Sequence, residues 1–356
     1  MTSRLATALV QRGCDVAVVT QRYPRTLPAE EQIEGVRVRR LPFLLPRLWY
    51  LERGRVDLFI AGLFCFPQTL VWAAWYIARH KPDVVNLHFV GAPTPFLLII
   101  NKVLRFRFVV SLHGDDVEGY SRRTWFERWI ARAALRQADV VTACSQYLLD
   151  RVVALEPRIA SKAHVIYNGM DLPDSPRVLM RGDGVLAVGR MVPKKGFDVL
   201  LRAMAECRRM DPQLSLTLVG DGPERGALES LCRELNLDGS IHFLGPGCWD
   251  EVWKALASCS VVVVPSREEA FGLVALEAMA AGKPVIATRV GGLPEVLEGA
   301  DAFVVEPDDP KGMARAIKDA LATLQNRPGF GQRNAAIAAR FSIEQMASGY
   351  VAVYEG

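Results

Sequence analysis

Residues 261–297, VVVVPSREEAFGLVALEAMAAGKPVIATRVGGLPEVL, decide the fold of this chain. Four valines closed by Pro265 have the length and composition of a buried parallel strand. After a polar turn, apolar residues recur at helical spacing from Gly272 to Gly282, which is placed as a helix-terminating glycine. Residues 284–288 then read as the next strand. The stretch therefore predicts a strand, turn, helix, strand unit in which a glycine begins the helix.

The start of this helix is a predicted anion site. Backbone N–H groups at a helix N-terminus bind anions, and Gly272 leaves room for a phosphate to approach them. Glu269 precedes the helix and Glu277 lies within it, so a carboxylate flanks each side of the gap. The outline suits a nucleotide sugar, which has hydroxyls on both sides of a diphosphate. Such units are also common in proteins that do not bind this ligand, so the interpretation depends on the residues in the rest of the chain.

Two series of strands alternating with helices predict two parallel-sheet α/β domains, residues 1–172 and 173–340. A Pro- and Asp-rich linker is expected at 171–183, and residues 341–356 form a last helix expected to pack back toward the N-terminal domain. Ligands of such sheets bind beyond the carboxyl ends of the strands. The strands are predicted at 15–20, 36–41, 83–88, 106–112, 139–144, 163–167, 185–188, 214–219, 240–244, 261–264, 285–288 and 302–305.

The length of 356 residues suits two domains, and a 50% hydrophobic, 23% charged composition is that of an ordinary globular protein. Residues 1–180 hold 24 Lys and Arg against 16 Asp and Glu, whereas the rest is acidic. A basic N-terminal half favours an anionic partner, such as a phospholipid surface or a pyrophosphate-linked acceptor. Nucleic acid is disfavoured, because no basic stripe interleaved with stacking aromatics recurs.

The cysteines and the apolar segments predict a cytoplasmic protein that can associate peripherally with the inner face of a membrane. Seven scattered cysteines without a CxxC pair suit a reducing compartment, and residues 1–10 lack the apolar core of a signal peptide. Residues 58–78 are long enough to span a bilayer, but Pro67 and Gln68 interrupt them. We expect a buried or membrane-grazing helical region there.

Two cations stand on one turn after the predicted strand 185–188. Arg190 and Lys195 lie beside Gly189 and Gly196, and such a strand-to-helix turn aims cations at a diphosphate. A solvated arginine is the ordinary alternative for Arg190 alone. Two cations and two glycines in one turn favour binding.

Two other strand ends carry weaker candidates. After strand 240–244 the chain reads Gly245-Pro246-Gly247-Cys248, where bare backbone could meet a flat nucleobase. His113 follows strand 106–112 and precedes two aspartates, a position that suits a catalytic histidine, although a lone histidine is as often structural.

Jointly these motifs resemble glycosyltransferase family 4, whose members have the GT-B fold and retain anomeric configuration. The resemblance covers nearly the whole chain. The matching segments are SLHGDD (111–116), VIYNGMD (165–171), GRMVPKKG (189–196), VGDGPE (219–224), EAFGLVALEAMAAGKPVIAT (269–288) and GGLPEVL (291–297).

The resemblance implies how the donor is held. Arg190 and Lys195 would bind the donor diphosphate, helped by the backbone N–H groups of Phe271, Gly272 and Leu273. Departure of a nucleoside diphosphate builds negative charge, which two cations and a helix N-terminus can stabilise. No Asp-x-Asp metal site is evident, so we expect neither a metal nor another cofactor.

The resemblance also implies roles around the reacting sugar. The Glu-x7-Glu pair of the family falls on Glu269 and Glu277, so Glu277 would bind the ribose hydroxyls and Glu269 hydroxyls of the transferred sugar. His113 would contact a sugar hydroxyl from the N-terminal domain. The family mechanism is front-face return through an oxocarbenium-like state, with no established protein nucleophile.

One departure concerns the first domain. Family members usually begin with a strand and a Gly-Gly loop before the helix predicted at 4–12, and this chain lacks both. We therefore expect an unfilled central position in the first sheet. Two alternatives stay open, a donor-binding protein without turnover and a nucleotide-sugar epimerase or sugar phosphorylase of the same fold.

The acceptor is predicted from residues 120–136, YSRRTWFERWIARAALR. A basic helix with Trp125, Trp129 and Arg132 suits a membrane surface carrying anionic lipid. Packing of these aromatics into their own domain is an equally good interpretation. We expect a glycan or lipid-linked acceptor, as in envelope polysaccharide or glycolipid synthesis.

Overall fold

The computed structural model describes residues 2–23, 26–46, 50, 54–172, 183–327 and 329–356. The chain divides into two units, of which unit 1 holds Met1–Gly169 and Ile343–Gly356 and unit 2 holds Met170–Ser342. Most of the predicted linker at 171–183 lies outside the described residues. The last helix belongs to unit 1.

Unit 1 begins with one helix and three consecutive strands, and from there to residue 169 helices and strands follow one another. Its strands are β1 (Ala17–Gln21), β2 (Glu30–Ile33), β3 (Val36–Leu41), β4 (Val84–His88), β5 (Arg107–Leu112), β6 (Val140–Ala143) and β7 (Ala163–Val165). Its helices are α1 (Thr2–Gln11), α2 (Val56–His80), α3 (Thr94–Leu104), α4 (Asp115–Glu118), α5 (Trp125–Gln137) and α6 (Gln146–Leu155).

Unit 2 continues the alternation, and the final helix then returns to unit 1. The strands are β8 (Val185–Val188), β9 (Leu216–Val219), β10 (Ile241–Gly245), β11 (Val261–Val264), β12 (Val285–Thr288) and β13 (Ala302–Val305). The helices are α7 (Phe197–Arg208), α8 (Arg225–Glu234), α9 (Trp249–Ser258), α10 (Leu273–Ala280), α11 (Leu293–Val296), α12 (Pro310–Asn326), α13 (Asn334–Ala338) and α14 (Ile343–Glu355).

The strands of unit 1 form two separate sheets among the described residues. One has the order β1-β3-β2 and the other the order β4-β5-β6-β7, with every pair of the second sheet parallel. β2 runs antiparallel to β3 and is absent from the sequence prediction. Its residues, EEQI, lack an apolar alternation, and the signal for it was the turn Glu34-Gly35, in which both φ angles are positive as hairpin turns require.

The six strands of unit 2 form one parallel sheet in the order β10-β9-β8-β11-β12-β13. Val261, Val262 and Val263 of β11 are fully buried, because side chains alternate between two covered faces of the sheet. Val261 and Val263 join the core formed with α7 and α12. The four-valine run therefore occupies an interior strand, beside which α10 packs.

The last helix completes the core of unit 1. Its residues Met346, Ala347 and Tyr350 are buried against Leu5 and Leu9 of α1. This contact fixes α14 on unit 1 through apolar packing.

Candidate functional site

The carboxyl edge of the unit 2 sheet gathers most of the predicted site residues. β8 lies between β9 and β11 in the sheet, so the loops that follow these three strands are neighbours. The loop after β8 carries the two predicted cations, and the loop after β11 leads into α10. His113 alone belongs to unit 1.

Close backbone contacts fix these loops against one another. Gly196 has a φ of +64°, and a Cβ there would lie 2.0 Å from the carbonyl oxygen of Pro265. Gly291 has a φ of +57°, and a Cβ there would lie 1.6 Å from the carbonyl oxygen of Glu269. Gly292 donates its N–H to that same oxygen at 3.0 Å. Only glycine fits at either position, so the loops after β8, β11 and β12 are held backbone to backbone.

Lys195 and Glu269, predicted from separate loops, meet directly. The Nζ of Lys195 lies 2.6 Å from Oε2 of Glu269, and the two side chains are 22% and 17% exposed. The hydroxyl of Ser266 also faces this oxygen at 3.4 Å. Arg190 is exposed on the same loop as Lys195, and its side chain forms no ion pair with the described residues. A cationic surface thus lies beside a carboxylate at the sheet edge.

Arg267 organises this edge, and the sequence prediction missed it. Its guanidinium donates two hydrogen bonds of 2.8 Å to Asp198, one of 2.7 Å to Asp308 and one of 2.7 Å to the carbonyl of Pro193. The hydrogen bonds that Arg267 donates to the carboxylate of Asp198 raise the pKa of Arg267, and burial opposes that rise only in part. Arg267 therefore ties the loop after β11 to the loop after β8.

The N-terminus of α10 opens at the same edge. The helix begins at Leu273, and Gly272 before it has a φ of +111°. A Cβ on Gly272 would lie 2.6 Å from the side chain of Leu293, so a larger residue would displace α11. Phe271 is buried, and Glu277 is half-buried one turn inside the helix. The first-turn N–H groups lack intrahelical acceptors, which gives this end a partial positive charge.

The predicted nucleobase loop lies further along the same edge. Gly245 is buried and accepts a 2.7 Å hydrogen bond from the N–H of Gly220, while Pro246, Gly247 and Cys248 are exposed. Cys248 is the N-cap residue of α9, and its N–H donates to Glu251 at 2.6 Å. Exposed backbone next to the loop after β9 can offer polar groups to a planar ring.

In unit 1, His113 stands next to a second histidine at the carboxyl ends of two adjacent strands. Nε2 of His113 lies 2.9 Å from Nδ1 of His88, and the two rings stack with centroids 5.2 Å apart. The buried carboxylate of Asp116 accepts the N–H of His113 at 2.9 Å and that of Val90 at 2.8 Å. The sequence prediction missed His88, although it ends β4 as His113 follows β5.

Burial keeps both imidazoles neutral at physiological pH. It lowers the pKa of His88 to about 4, and burial followed by the field of His88 lowers the pKa of His113 to about 3. Burial also raises the pKa of Asp116, against the opposing effect of its two backbone hydrogen bonds. Neutral rings at this position can exchange hydrogen bonds with hydroxyl groups.

Within the described ranges, no group of three or more His, Cys, Asp or Glu side chains could hold a metal ion. The positive groups at the carboxyl edge of the unit 2 sheet include the side chains of Arg190, Lys195 and Arg267 and the N-terminus of α10.

Comparison with known proteins finds matches over both halves of the chain. Residues 1–173 match the family described as Glycosyltransferase Family 4, and residues 180–335 match the one described as Glycosyl transferases group 1. A GDP-mannose-dependent alpha-(1-6)-phosphatidylinositol monomannoside mannosyltransferase of Mycolicibacterium smegmatis is 32% identical over 298 residues, or 74% of this chain and 76% of the relative.

Solved structures share the fold over almost the whole length. The sucrose-phosphate synthase of Thermosynechococcus elongatus superposes with a TM-score of 0.77 at 24% identity, over 99% of this chain and 92% of the other. Anabaena HepE in complex with UDP-glucose superposes with a TM-score of 0.70 at 23% identity, over 90% and 86% of the two chains.

Proposed function

Because this chain belongs to glycosyltransferase family 4, with the GT-B fold and the transferase activity of that family, we propose a specific reaction for it. It moves a hexose-type sugar from a nucleotide-sugar donor to a glycan or lipid-linked acceptor, with retention of anomeric configuration. The observation that carries the proposal is the Lys195–Glu269 contact of 2.6 Å beside the N-terminus of α10.

The leaving group determines which charges the reaction needs. The bond between the anomeric carbon and the diphosphate oxygen breaks, and the electron pair leaves with the diphosphate. Lys195, Arg190 and the first N–H groups of α10 stabilise that charge. The acceptor hydroxyl attacks the same face, and its proton passes to the departing phosphate. Glu277 holds the ribose and Glu269 a hydroxyl of the transferred sugar.

The proposed donor is supported by the relatives. One is named for its dependence on GDP-mannose, and another binds UDP-glucose. Both sugar nucleotides consist of a nucleoside diphosphate joined to a hexose, and they differ in the base. The exposed loop at Pro246, Gly247 and Cys248 is the proposed base site, which a screen of UDP, GDP and ADP sugars tests.

We propose that the reaction needs no metal ion. Two side-chain cations and a helix N-terminus supply the positive charge that a divalent ion supplies elsewhere. The rate of transfer should be the same in the presence of EDTA and of Mg²⁺. A rate that vanishes with EDTA and returns with Mg²⁺ would contradict this.

The surface of unit 1 supports the proposed acceptor and location. Trp125 and Trp129 of α5 are 74% and 60% exposed, so the interpretation in which they pack into their own domain is wrong. Arg128 and Arg132 lie one turn apart on this helix and are also exposed. We propose a cytoplasmic enzyme at the inner face of the membrane, acting in envelope polysaccharide or glycolipid synthesis.

One assay separates this reaction from the alternatives. The chain is incubated with each sugar nucleotide and with glycan or lipid-linked acceptors, and both free nucleoside diphosphate and elongated product are measured. We expect equal amounts of the two, an activity lost in Lys195→Ala and kept in Lys311→Ala, whose lysine is exposed on α12. Donor binding without release in any condition would favour a binding protein, and an altered free sugar nucleotide an epimerase.

A further inference from the structure

Helix α2 presents a long apolar face to solvent. Residues 58–78 contain no Asp, Glu, Lys or Arg, and 17% of the most apolar 18-residue window is buried. Apart from one adjacent pair, the exposed large side chains recur at spacings of three, four and seven residues, so they share one face about 29 Å long at 1.5 Å per residue. They are Val56, Ile60, Leu63, Phe64, Val71 and Trp75. A stripe of this length facing water marks a binding surface.

The opposite face of α2 is fixed to unit 1. A Cβ on Gly62 would lie 2.7 Å from the backbone nitrogen of Pro46, and the hydroxyl of Thr69 donates to the carbonyl of Pro42 at 3.2 Å. The guanidinium of Arg39 lies over the ring of Trp72, 4.4 Å from its centroid. A helix crossing a bilayer would break these contacts. By length and composition α2 could span a membrane, but its packing holds it along the surface of the unit.

The two neighbouring helices extend this face and add positive charge. α3 packs against both α2 and α5, and it exposes Val103 to 76%. A groove of about 760 Å³ between α3 and α5 is lined by Lys102, Arg128 and Arg132. None of these three cations forms an ion pair with an acid in the described ranges. The groove is therefore complementary to anionic groups and lies beside an apolar surface.

We propose that the outer faces of α2, α3 and α5 form one docking face for an anionic phospholipid bilayer. The α2 stripe lies at the boundary of the acyl chains, as the apolar side of an interfacial helix does, and the groove cations contact headgroup phosphates. The exposed tryptophans on α2 and α5 would lie at this same boundary, because tryptophan is enriched at the interface between membrane and water. The inference extends the proposed location of the enzyme, and its test needs no transferase activity.

Vesicle co-sedimentation tests the docking face. The full chain is mixed with phosphatidylcholine vesicles, with and without phosphatidylglycerol, at low and high salt. We expect salt-sensitive binding to the anionic vesicles. Phe64→Glu with Trp75→Glu should lower the bound fraction by about tenfold or more, because apolar burial is replaced by charge near anionic lipid. Arg128→Ala with Arg132→Ala should lower it and weaken its salt dependence, and Met210→Glu, an exposed control in unit 2, should leave it unchanged.

The outcomes are separable from misfolding, because every substituted side chain is exposed and circular dichroism checks each variant. Binding by Phe64→Glu with Trp75→Glu equal to that of the unaltered chain would overturn the proposal. A concentration-dependent dimer that this variant abolishes, without vesicle binding by the unaltered chain, would assign the face to a second copy and overturn it as well.

Discussion

Replacement of Lys195 by alanine should weaken binding of the donor nucleotide in a way that depends on Glu269. In the free protein the lysine is held 2.6 Å from that carboxylate, and neither side chain is more than about a quarter exposed. The substitution removes a cation from the proposed diphosphate site. It also leaves the carboxylate of Glu269 facing the incoming negative charge.

The magnitude follows from the loss of one charge-assisted contact. Hydrogen bonds to charged groups contribute about 1.5–3 kcal/mol. Since about 1.4 kcal/mol is tenfold in affinity, Lys195→Ala should raise the Kd of the nucleoside diphosphate about 10- to 150-fold. Glu269→Gln removes the competing partner of Lys195, so it should tighten nucleoside diphosphate binding while it lowers transfer. The double variant should bind better than Lys195→Ala alone, because less negative charge faces the diphosphate.

Isothermal titration calorimetry with UDP, GDP and ADP measures all four corners of this cycle, with Lys311→Ala as the control. A Kd for Lys195→Ala within about twofold of the unaltered chain, or a weakening by Glu269→Gln as large as that by Lys195→Ala, would refute the placement of the diphosphate.

Three further predictions concern stability. The pKa values of His88 and His113 are lowered to about 4 and about 3, whereas histidine in an unfolded chain titrates near 6.5, so unfolding takes up protons and the free energy of unfolding should fall as pH drops from about 6.5 toward 3. Urea titrations at several pH values should show a weaker pH dependence of that free energy for His88→Phe, and an equal pH dependence would contradict this. Gly291→Ala should lower the free energy of unfolding by about 2–4 kcal/mol, whereas Gly226→Ala, with no atom within 4 Å of the new Cβ, should raise it by up to about 1 kcal/mol. Thermal melts in which both substitutions change the stability in the same direction would contradict this geometry. Arg267→Ala should cost about 1–3 kcal/mol by the same melts, since it removes hydrogen bonds among three segments, and an unchanged melt would deny that role.

Much of the fold could be predicted because most of its strands are strongly apolar and the residues that end its helices and strands can be recognised locally in the sequence. The four valines of β11 could only be an interior strand, and β8, β12 and β13 lie at the predicted bounds. β2 was missed because EEQI reads as a polar loop until its pairing with β3 supplies the hydrogen bonds. The exposure of α2 was not predictable from its pattern, since a segment apolar on all sides carries no periodicity that separates a buried face from an open one.

The site was predictable where one loop carries its own signal and not where distant loops meet. Arg190 and Lys195 stood out because two cations and two glycines share a turn. The contact between Lys195 and Glu269 joins residues 74 positions apart, and that between Arg267 and Asp198 joins residues 69 apart. Such pairings depend on strand order, which is settled by packing. His88 was missed for the same reason, because its partner lies on the adjacent strand.

The most direct test of the central claim is the anomeric configuration of the transfer product together with its dependence on Lys195. Proton NMR of the product formed from an α-linked sugar nucleotide should show an α-glycoside, formed in step with the release of nucleoside diphosphate, and Lys195→Ala should abolish both. A β-glycoside, or transfer that persists undiminished in Lys195→Ala, would contradict the account.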